Sequence, residues 1–164
     1  MMNEIRRVKD VMTRDAVSVQ TITPLKEVIH VMSEKNISCV LVNEKKQLAG
    51  IITERDLVQR VLDKNKEVSK LRAKDVMTKT ITSVSEEATL QEAMHVVENM
   101  NLRRLVVLNK QGVQGIITQT DIVKETHHIH EHNQRLAFHQ NLQSYIIIIS
   151  IIIFGILLGI KFFF

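Results

Sequence analysis

The chain has little of several features that would point to a function class. Its 164 residues include one cysteine, one proline, five glycines, one tyrosine and no tryptophan. The single cysteine, Cys39, excludes a disulfide or a cysteine-based zinc site within one chain, and this scarcity suits a reducing cytosol. One tyrosine and no tryptophan leave little for bases to stack on, and the net charge of +4 comes from interspersed residues. Nucleic acid is therefore not expected among the partners.

Patterns typical of common enzymes are also missing. The sequence contains no Gly-x-Ser-x-Gly, no phosphate-binding P-loop and no dinucleotide-binding glycine pattern. Cys39 lies in a strand-like apolar run, where a thiol is more often inert packing than a nucleophile. Residues 1–7 lack the apolar core of a secretory signal. These observations predict a cytoplasmic protein that is not an enzyme and carries no cofactor.

What the chain does have is an internal repeat at an offset of 65 residues. The segment 9–13, Lys-Asp-Val-Met-Thr, recurs at 74–78, and the Gly-Ile-Ile-Thr of 50–53 recurs at 115–118. About 20 of roughly 50 aligned positions are identical, without a gap. Two copies this similar should fold alike and pack as a pseudo-twofold pair. A cleft between the two halves is where a functional site is expected.

Hydrophobic spacing predicts the same elements in both copies. Apolar residues at helical spacing predict amphipathic helices over 25–32 and 90–97. A short β-branched run follows each helix, and a polar turn then leads into a second strand, which is typical of a β-hairpin. A further helix is predicted from Leu57 to Leu62, with its counterpart at the end of the second copy. Each copy therefore has the order strand, helix, strand, strand, helix.

These motifs resemble those of the cystathionine-β-synthase (CBS) domain, which is nearly always found as a tandem pair called a Bateman module. The resemblance covers residues 7–127 and rests on three features: the two Asp-Val-Met-Thr segments, the Asn-Leu-Arg-Arg-Leu-Val-Val of 101–107, and the two Gly-Ile-Ile-Thr-x-x-Asp segments. It implies an α/β (α+β) fold of two pseudo-twofold-related β-α-β-β-α repeats. It also implies clefts that bind adenine nucleotides (AMP, ADP, ATP or a related adenosyl ligand), a homodimer, and a regulatory role without catalysis.

The predicted organisation has five parts. They are a first repeat over 7–63, a linker over 64–73, a second repeat over 74–127, a histidine-rich polar helix or linker over 128–144, and an apolar anchor over 145–164.

The Thr-x-x-Asp segments that follow each Gly-Ile-Ile have two interpretations. Thr53 with Asp56, and Thr118 with Asp121, are close to capping boxes at helix starts, which explains them without a ligand. A helix start also favours anions, and a carboxylate there can accept two hydrogen bonds from a ribose diol. The resemblance favours ribose binding by both aspartates, and the two roles can coexist.

Arg103 and Arg104 distinguish the copies, because their counterparts are Ser38 and Cys39. A guanidinium group suits phosphate, although pairing with surface acids is the alternative. From the resemblance, the stronger site is expected to gather Arg103, Arg104, Thr118, Asp121, Ile37, Ser38 and Val17. The other cleft, with Thr53, Asp56 and Thr82, has fewer phosphate partners and is expected to be weaker or empty.

Two C-terminal features leave alternatives open. His128 and His132 lie at i and i+4 of a predicted helix, so they are weak candidates for a metal or pH sensor, although a solvated linker is the favoured interpretation. Residues 145–164 are almost wholly apolar and as a helix would span about 30 Å, enough for a membrane anchor. Two alternatives involve no membrane: the segment could be a strand-prone dimerisation segment, or it could be a spurious or truncated end.

The leading hypothesis is a membrane-tethered adenine-nucleotide sensor that passes a conformational change to an effector protein. A structural dimerisation module without ligand binding and a metal-dependent regulator are the alternatives. Nucleotide affinity separates the first two, and replacement of His128 and His132 tests the third.

Overall fold

The computed structural model describes residues 6–125, which form a mixed α+β fold. One compact unit ends at Ile122, and the described part of the next unit is limited to residues 123–125. The predicted polar helix at 128–144 and the predicted anchor at 145–164 lie outside the described residues. Within 6–125, no helix is both long enough and apolar enough to cross a membrane.

Both repeats contain the predicted order of elements. The first has α1 (Val8–Val11), β1 (Thr13–Arg14), β2 (Ser18–Gln20), α2 (Leu25–Glu34), β3 (Cys39–Glu44), β4 (Gln47–Thr53) and α3 (Glu54–Leu57). The second has α4 (Ala73–Val76), β5 (Ser83–Ser85), α5 (Leu90–Asn99), β6 (Arg104–Asn109), β7 (Gly112–Thr118) and α6, which begins at residue 119. A 3-10 turn, Val68–Lys70, lies between the repeats. The short helices α1 and α4 and the strand β1 were not part of the sequence prediction.

The sheets show that the two repeats exchange their N-terminal segments. One sheet has the order β2-β3-β4 and the other β1-β7-β6-β5. Strand β1 of the first repeat pairs antiparallel with β7 of the second, with Thr13 opposite Ile116. The symmetry-related contact is a bridge between Thr78 and Ile51. Each N-terminal segment therefore crosses to the sheet of the other repeat.

The hydrophobic cores follow the same exchange. Val8 and Met12, from the start of the chain, are buried with Leu90 and Leu105 of the second repeat. The segment Ala73, Val76 and Met77 is buried with residues of the first repeat. A third cluster of Leu41, Val106 and Ile116 joins the two sheets. Each repeat thus depends on its neighbour for part of its core.

A glycine stands at each crossing point because the crossing backbone comes very close. A Cβ atom at Gly115 would collide with the carbonyl oxygen of Thr13. At Gly50 it would lie 2.8 Å from the Met77 sulfur and 2.9 Å from the Thr78 carbonyl oxygen. The glycine of each Gly-Ile-Ile segment therefore makes room for the exchanged strand.

The helix predicted from Leu57 to Leu62 differs from the expectation of one regular amphipathic helix. The α-helical part, α3, ends at Leu57, and a π-helical turn, Val58–Leu62, follows it directly. In this wider turn Val61 is buried in the core, while Val58 and Leu62 are 53% and 64% exposed. Two large apolar side chains of this helix are therefore left at the surface.

Candidate functional site

A cavity of about 330 Å³ lies where the two repeats meet, and we call it the first cleft. The first repeat contributes the end of β4 and the start of α3, and the second contributes the segment 78–82 and the start of β6. The lining residues are Ile51, Thr53, Glu54, Arg55, Asp56, Val58, Thr78, Thr80, Ile81, Thr82, Leu102, Arg103, Arg104 and Val106.

Arg103 and Arg104 line this first cleft, so the grouping expected from the sequence is wrong. Arg104 is the ladder partner of Thr118 in β6 and β7, yet its side chain borders the cavity of Thr53 and Asp56. The reason is the exchange of N-terminal segments: the bridge between Ile51 and Thr78 joins the second repeat to the end of β4, and both repeats build the cleft. The cleft expected to be weaker is therefore the one that holds the arginines.

The other residues of the expected strong site do not border this cavity. They are Val17, Ile37, Ser38, Thr118 and Asp121. They stand 65 positions from lining residues of the first cleft, so the pseudo-twofold relation assigns them to an equivalent second cleft.

A second cleft related in this way would differ from the first in charge. At the positions of Arg55, Arg103 and Arg104 it has Thr120, Ser38 and Cys39, and Asp15 replaces Thr80. Those four counterparts include one carboxylate and no cation, and Asp121 adds a second carboxylate. Such a set suits a phosphate poorly.

Both Thr-x-x-Asp segments form the capping boxes that the sequence suggested. The backbone N–H of Thr53 donates to Asp56 Oδ2 at 2.9 Å, the Thr53 hydroxyl donates to the same oxygen at 2.6 Å, and the Asp56 N–H donates back to Thr53 Oγ1 at 3.3 Å. Thr118 and Asp121 repeat this pattern at 2.9, 2.6 and 3.2 Å. The boxes satisfy N–H groups that a helix start leaves unpaired.

Asp56 has further partners that Asp121 lacks. Its other oxygen, Oδ1, accepts a hydrogen bond from the Thr78 hydroxyl at 2.8 Å and lies 3.5 Å from Arg60 Nε. Asp56 is only 8% exposed. Among the described residues, no hydrogen bond is made to Asp121 Oδ1. Within residues 6–125, the carboxylate of Asp56 therefore has partners from both repeats, whereas that of Asp121 has partners only at the start of its own helix.

Arg60 holds this network in place. Its guanidinium group donates to the carbonyl oxygens of Val76 at 2.8 Å and Met77 at 2.7 Å, and to Thr78 Oγ1 at 3.0 Å. These contacts connect the π-helical turn to the exchanged segment of the second repeat. Arg60 is not among the site residues expected from the sequence, although its i, i+4 spacing from Asp56 is a usable signal.

The electrostatics of the first cleft favour an anion. Arg55, Arg103 and Arg104 oppose Glu54 and Asp56, and Asp56 is already paired with Arg60. Nη1 of Arg104 is buried and has no hydrogen-bond partner among the described residues. A buried charged donor without a partner is unfavourable, so an anion that accepted its hydrogen bond would relieve that cost.

The sequence analysis also missed part of the cavity wall. Thr78 and Thr80 line the cavity together with Thr82, which had been singled out. In an extended segment every second side chain lies on the same face, so the alternating threonines were a signal that could have been used. Arg55, in the variable part of Thr-x-x-Asp, had no comparable signal.

No group of three or more potential metal ligands occurs among residues 6–125. The weak metal candidates, His128 and His132, lie outside the described residues.

The fold, the repeat and the motifs together define the family to which the protein belongs. The chain belongs to the CBS-domain family, whose model matches residues 8–63 and 73–128. CBS domains are generally regulatory modules, and here they form a tandem pair. The resemblance predicted from the sequence is thus confirmed.

Solved structures agree with this assignment. A CBS-domain protein from Burkholderia ambifaria is 26% identical, with a TM-score of 0.68 and coverage of 73% of this chain and 90% of that one. A CBS-domain protein from Agrobacterium tumefaciens is 27% identical, with a TM-score of 0.66 and coverage of 73% and 98%. A hexameric CBS-CP12 protein from bloom-forming cyanobacteria shares the fold at 22% identity, with a TM-score of 0.68 and coverage of 73% and 67%. No curated protein sequence gives a significant match.

Proposed function

We propose that the chain is a non-catalytic regulatory module that binds an adenine nucleotide in the first cleft. The observations that carry this proposal are the three arginines on the wall of the cavity, Arg55, Arg103 and Arg104, and the buried Nη1 of Arg104, which has no hydrogen-bond partner among the described residues. A fixed guanidinium group suits a phosphate, which accepts hydrogen bonds in the matching geometry. The volume of about 330 Å³ lies at the lower end of the range for small-ligand pockets.

The rest of the lining also suits a nucleotide, which has a charged phosphate at one end and an apolar base at the other. Ile51, Ile81 and Val106 belong to the cluster that joins the two sheets and also border the cavity, which offers apolar surface to a base. The threonines at 78, 80 and 82 add hydroxyl groups to the same lining. Bound there, a ligand would contact both repeats.

A ligand held by both repeats can act as a regulator. If the two repeats have more than one relative arrangement, a ligand that fits one of them better shifts the population toward it. The exchanged segments would provide a route for such a change, because each is buried in the core of the other repeat. The receiving effector would be a separate protein.

The proposal is tested by calorimetric titration of the full-length chain, kept in a mild detergent because of its apolar C-terminal segment. The ligands are AMP, ADP, ATP and S-adenosylmethionine. The variants are Arg104→Ala, in the first cleft, and Ser38→Ala, at the position of the first repeat that is equivalent to Arg103. We expect one nucleotide per chain and a loss of affinity of at least tenfold for Arg104→Ala, as removal of a charge-assisted hydrogen bond implies. Ser38→Ala should bind as the wild type does.

Two results would contradict the proposal. Binding that persists in Arg104→Ala and disappears in Asp121→Asn would assign the ligand to the second cleft. Absence of binding by all four ligands would favour a structural interaction module instead.

Self-association is a second proposed property, and a specific feature favours it. Val58 and Leu62 are large apolar side chains, more than half exposed, on the same helix, and Val58 also borders the first cleft. A second copy of the chain, with the same apolar pair, would cover them in a symmetric contact. The cyanobacterial CBS-CP12 protein, which shares this fold, is hexameric, so self-association occurs among proteins of this fold. We propose a homodimer through this surface.

A membrane tether is a third proposed property, and it rests on the sequence alone. Residues 145–164 are apolar over a length that suits a bilayer, with Lys161 near the far end. Such a tether would hold the CBS pair at the cytoplasmic face of a membrane.

A further inference from the structure

The hydroxyl of Thr78 occupies the oxygen of Asp56 that a ribose would need. A carboxylate offers about four acceptor positions, two on each oxygen. Both positions on Oδ2 are taken by the N–H and the hydroxyl of Thr53. On Oδ1, one position accepts the Thr78 hydroxyl at 2.8 Å and the Nε of Arg60 lies 3.5 Å away. Asp56 therefore has no two free positions for a diol.

The direction of these hydrogen bonds follows from the chemistry of the three groups. A guanidinium group only donates and a carboxylate only accepts, while a hydroxyl has one proton to give. Arg60 Nη2 therefore donates to Thr78 Oγ1 at 3.0 Å, and Thr78 must donate its proton to Asp56. Because Arg60 is also bound to two carbonyl oxygens, the Thr78 hydroxyl is held in this role.

We propose that Thr78 sets the sugar selectivity of the first cleft by competing with the ribose diol for Asp56. A ribonucleotide must displace the Thr78 hydroxyl before its own hydroxyl groups can bind to Oδ1. A 2′,3′-dideoxynucleotide has no hydroxyl groups at these positions and leaves the network intact. The first cleft consequently distinguishes the two sugars weakly, and the arginines supply most of the affinity. This inference rests on the proposed binding of a nucleotide in the first cleft.

The second repeat supplies a matched control. The position equivalent to Thr78 is Thr13, whose hydroxyl makes no hydrogen bond to Asp121 among the described contacts. Both threonines lie in the same Asp-Val-Met-Thr motif, and both are in extended backbone at the crossing point. Replacement of either by valine keeps the branched shape and removes only the hydroxyl.

The experiment compares AMP with 2′,3′-dideoxy-AMP by calorimetric titration of the full-length chain. In the wild type, we expect affinities that agree within about threefold, because the diol gains hydrogen bonds only by breaking one that already exists. In Thr78→Val, the affinity for AMP should rise while that for the dideoxynucleotide stays unchanged, so that the ratio reaches about tenfold. Thr13→Val should keep the wild-type ratio.

Three results would overturn the inference. One is a wild-type ratio of about thirtyfold or more, which needs no variant and so holds even if Thr78→Val fails to fold. Another is an unchanged or lower ratio in Thr78→Val when both nucleotides still bind, which would leave the proposed function standing. The third is absence of binding by both nucleotides in the wild type, which overturns the proposed function as well if ADP, ATP and S-adenosylmethionine also fail to bind.

Discussion

Replacement of Gly115 by alanine tests whether the exchanged segment is required for the fold. The new Cβ atom would collide with the backbone carbonyl oxygen of Thr13, and that atom cannot move unless strand β1 moves with it. Displacement of β1 would break its pairing with β7 and disturb the burial of Val8 and Met12 in the second core.

The expected cost follows from these contacts. Overpacking typically costs about 1 to 3 kcal/mol, and each lost ladder hydrogen bond adds about 1 kcal/mol. A total of about 3 kcal/mol is a reasonable expectation for Gly115→Ala. With an unfolding entropy of about 2.1 cal/mol/K per residue over roughly 120 residues, this lowers the Tm by about 12 °C.

Gly50→Ala is the matched comparison, because Gly50 occupies the same motif position in the first repeat. There the nearest atom is the Met77 sulfur at 2.8 Å, and a flexible side chain can turn away. The Thr78 carbonyl oxygen at 2.9 Å requires a smaller shift than the collision at Gly115. We expect about 1 to 2 kcal/mol for Gly50→Ala.

Thermal and urea unfolding of the two full-length variants measure this difference, and hydrogen exchange of the β1 and β7 amides locates it. A Tm for Gly115→Ala within about 3 °C of the wild type would refute the close crossing. So would a larger loss for Gly50→Ala than for Gly115→Ala.

The two remaining predictions concern the surface and the C-terminal segment. Leu62→Glu should shift the full-length chain toward a monomer in analytical ultracentrifugation, because a charge would have to be buried in the proposed symmetric contact. Gln59→Glu, at another exposed position of the same turn, should leave the mass unchanged. An unchanged mass for Leu62→Glu would exclude this surface as the dimer contact. A fusion of residues 140–164 to a soluble reporter should sediment with membranes and resist carbonate extraction, and a soluble fusion would remove the proposed tether.

The local elements were predictable because their signals are local. The helices at 25–34 and 90–99 follow from apolar residues at helical spacing, and the hairpins follow from β-branched runs around polar turns. The capping boxes of Thr53 and Thr118 also depend only on residues three positions apart. In each case the partners are close in sequence, so spacing was sufficient.

The position of the arginines was not predictable in the same way. From the sequence, Arg103 and Arg104 were expected to lie with Thr118 and Asp121, whereas they border the cavity of Thr53 and Asp56. Their cleft depends on which repeat the segment after Met77 joins, and that is decided by the pairing of Thr78 with Ile51. The two residues are far apart in sequence, and no spacing rule relates them.

By itself, then, the sequence determined the duplication, the family, the order of elements within each repeat and the residue types available to a site. Only the tertiary structure decided which repeat completes which core. It also decided that Gly115 has a closer neighbour than Gly50, and that Thr78 and Arg60 are partners of Asp56. The physical reason is the range of the interactions involved. Helix spacing, turns and caps depend on nearby residues, whereas the exchange of segments and the partners of a buried carboxylate depend on surfaces that meet only after the chain has folded.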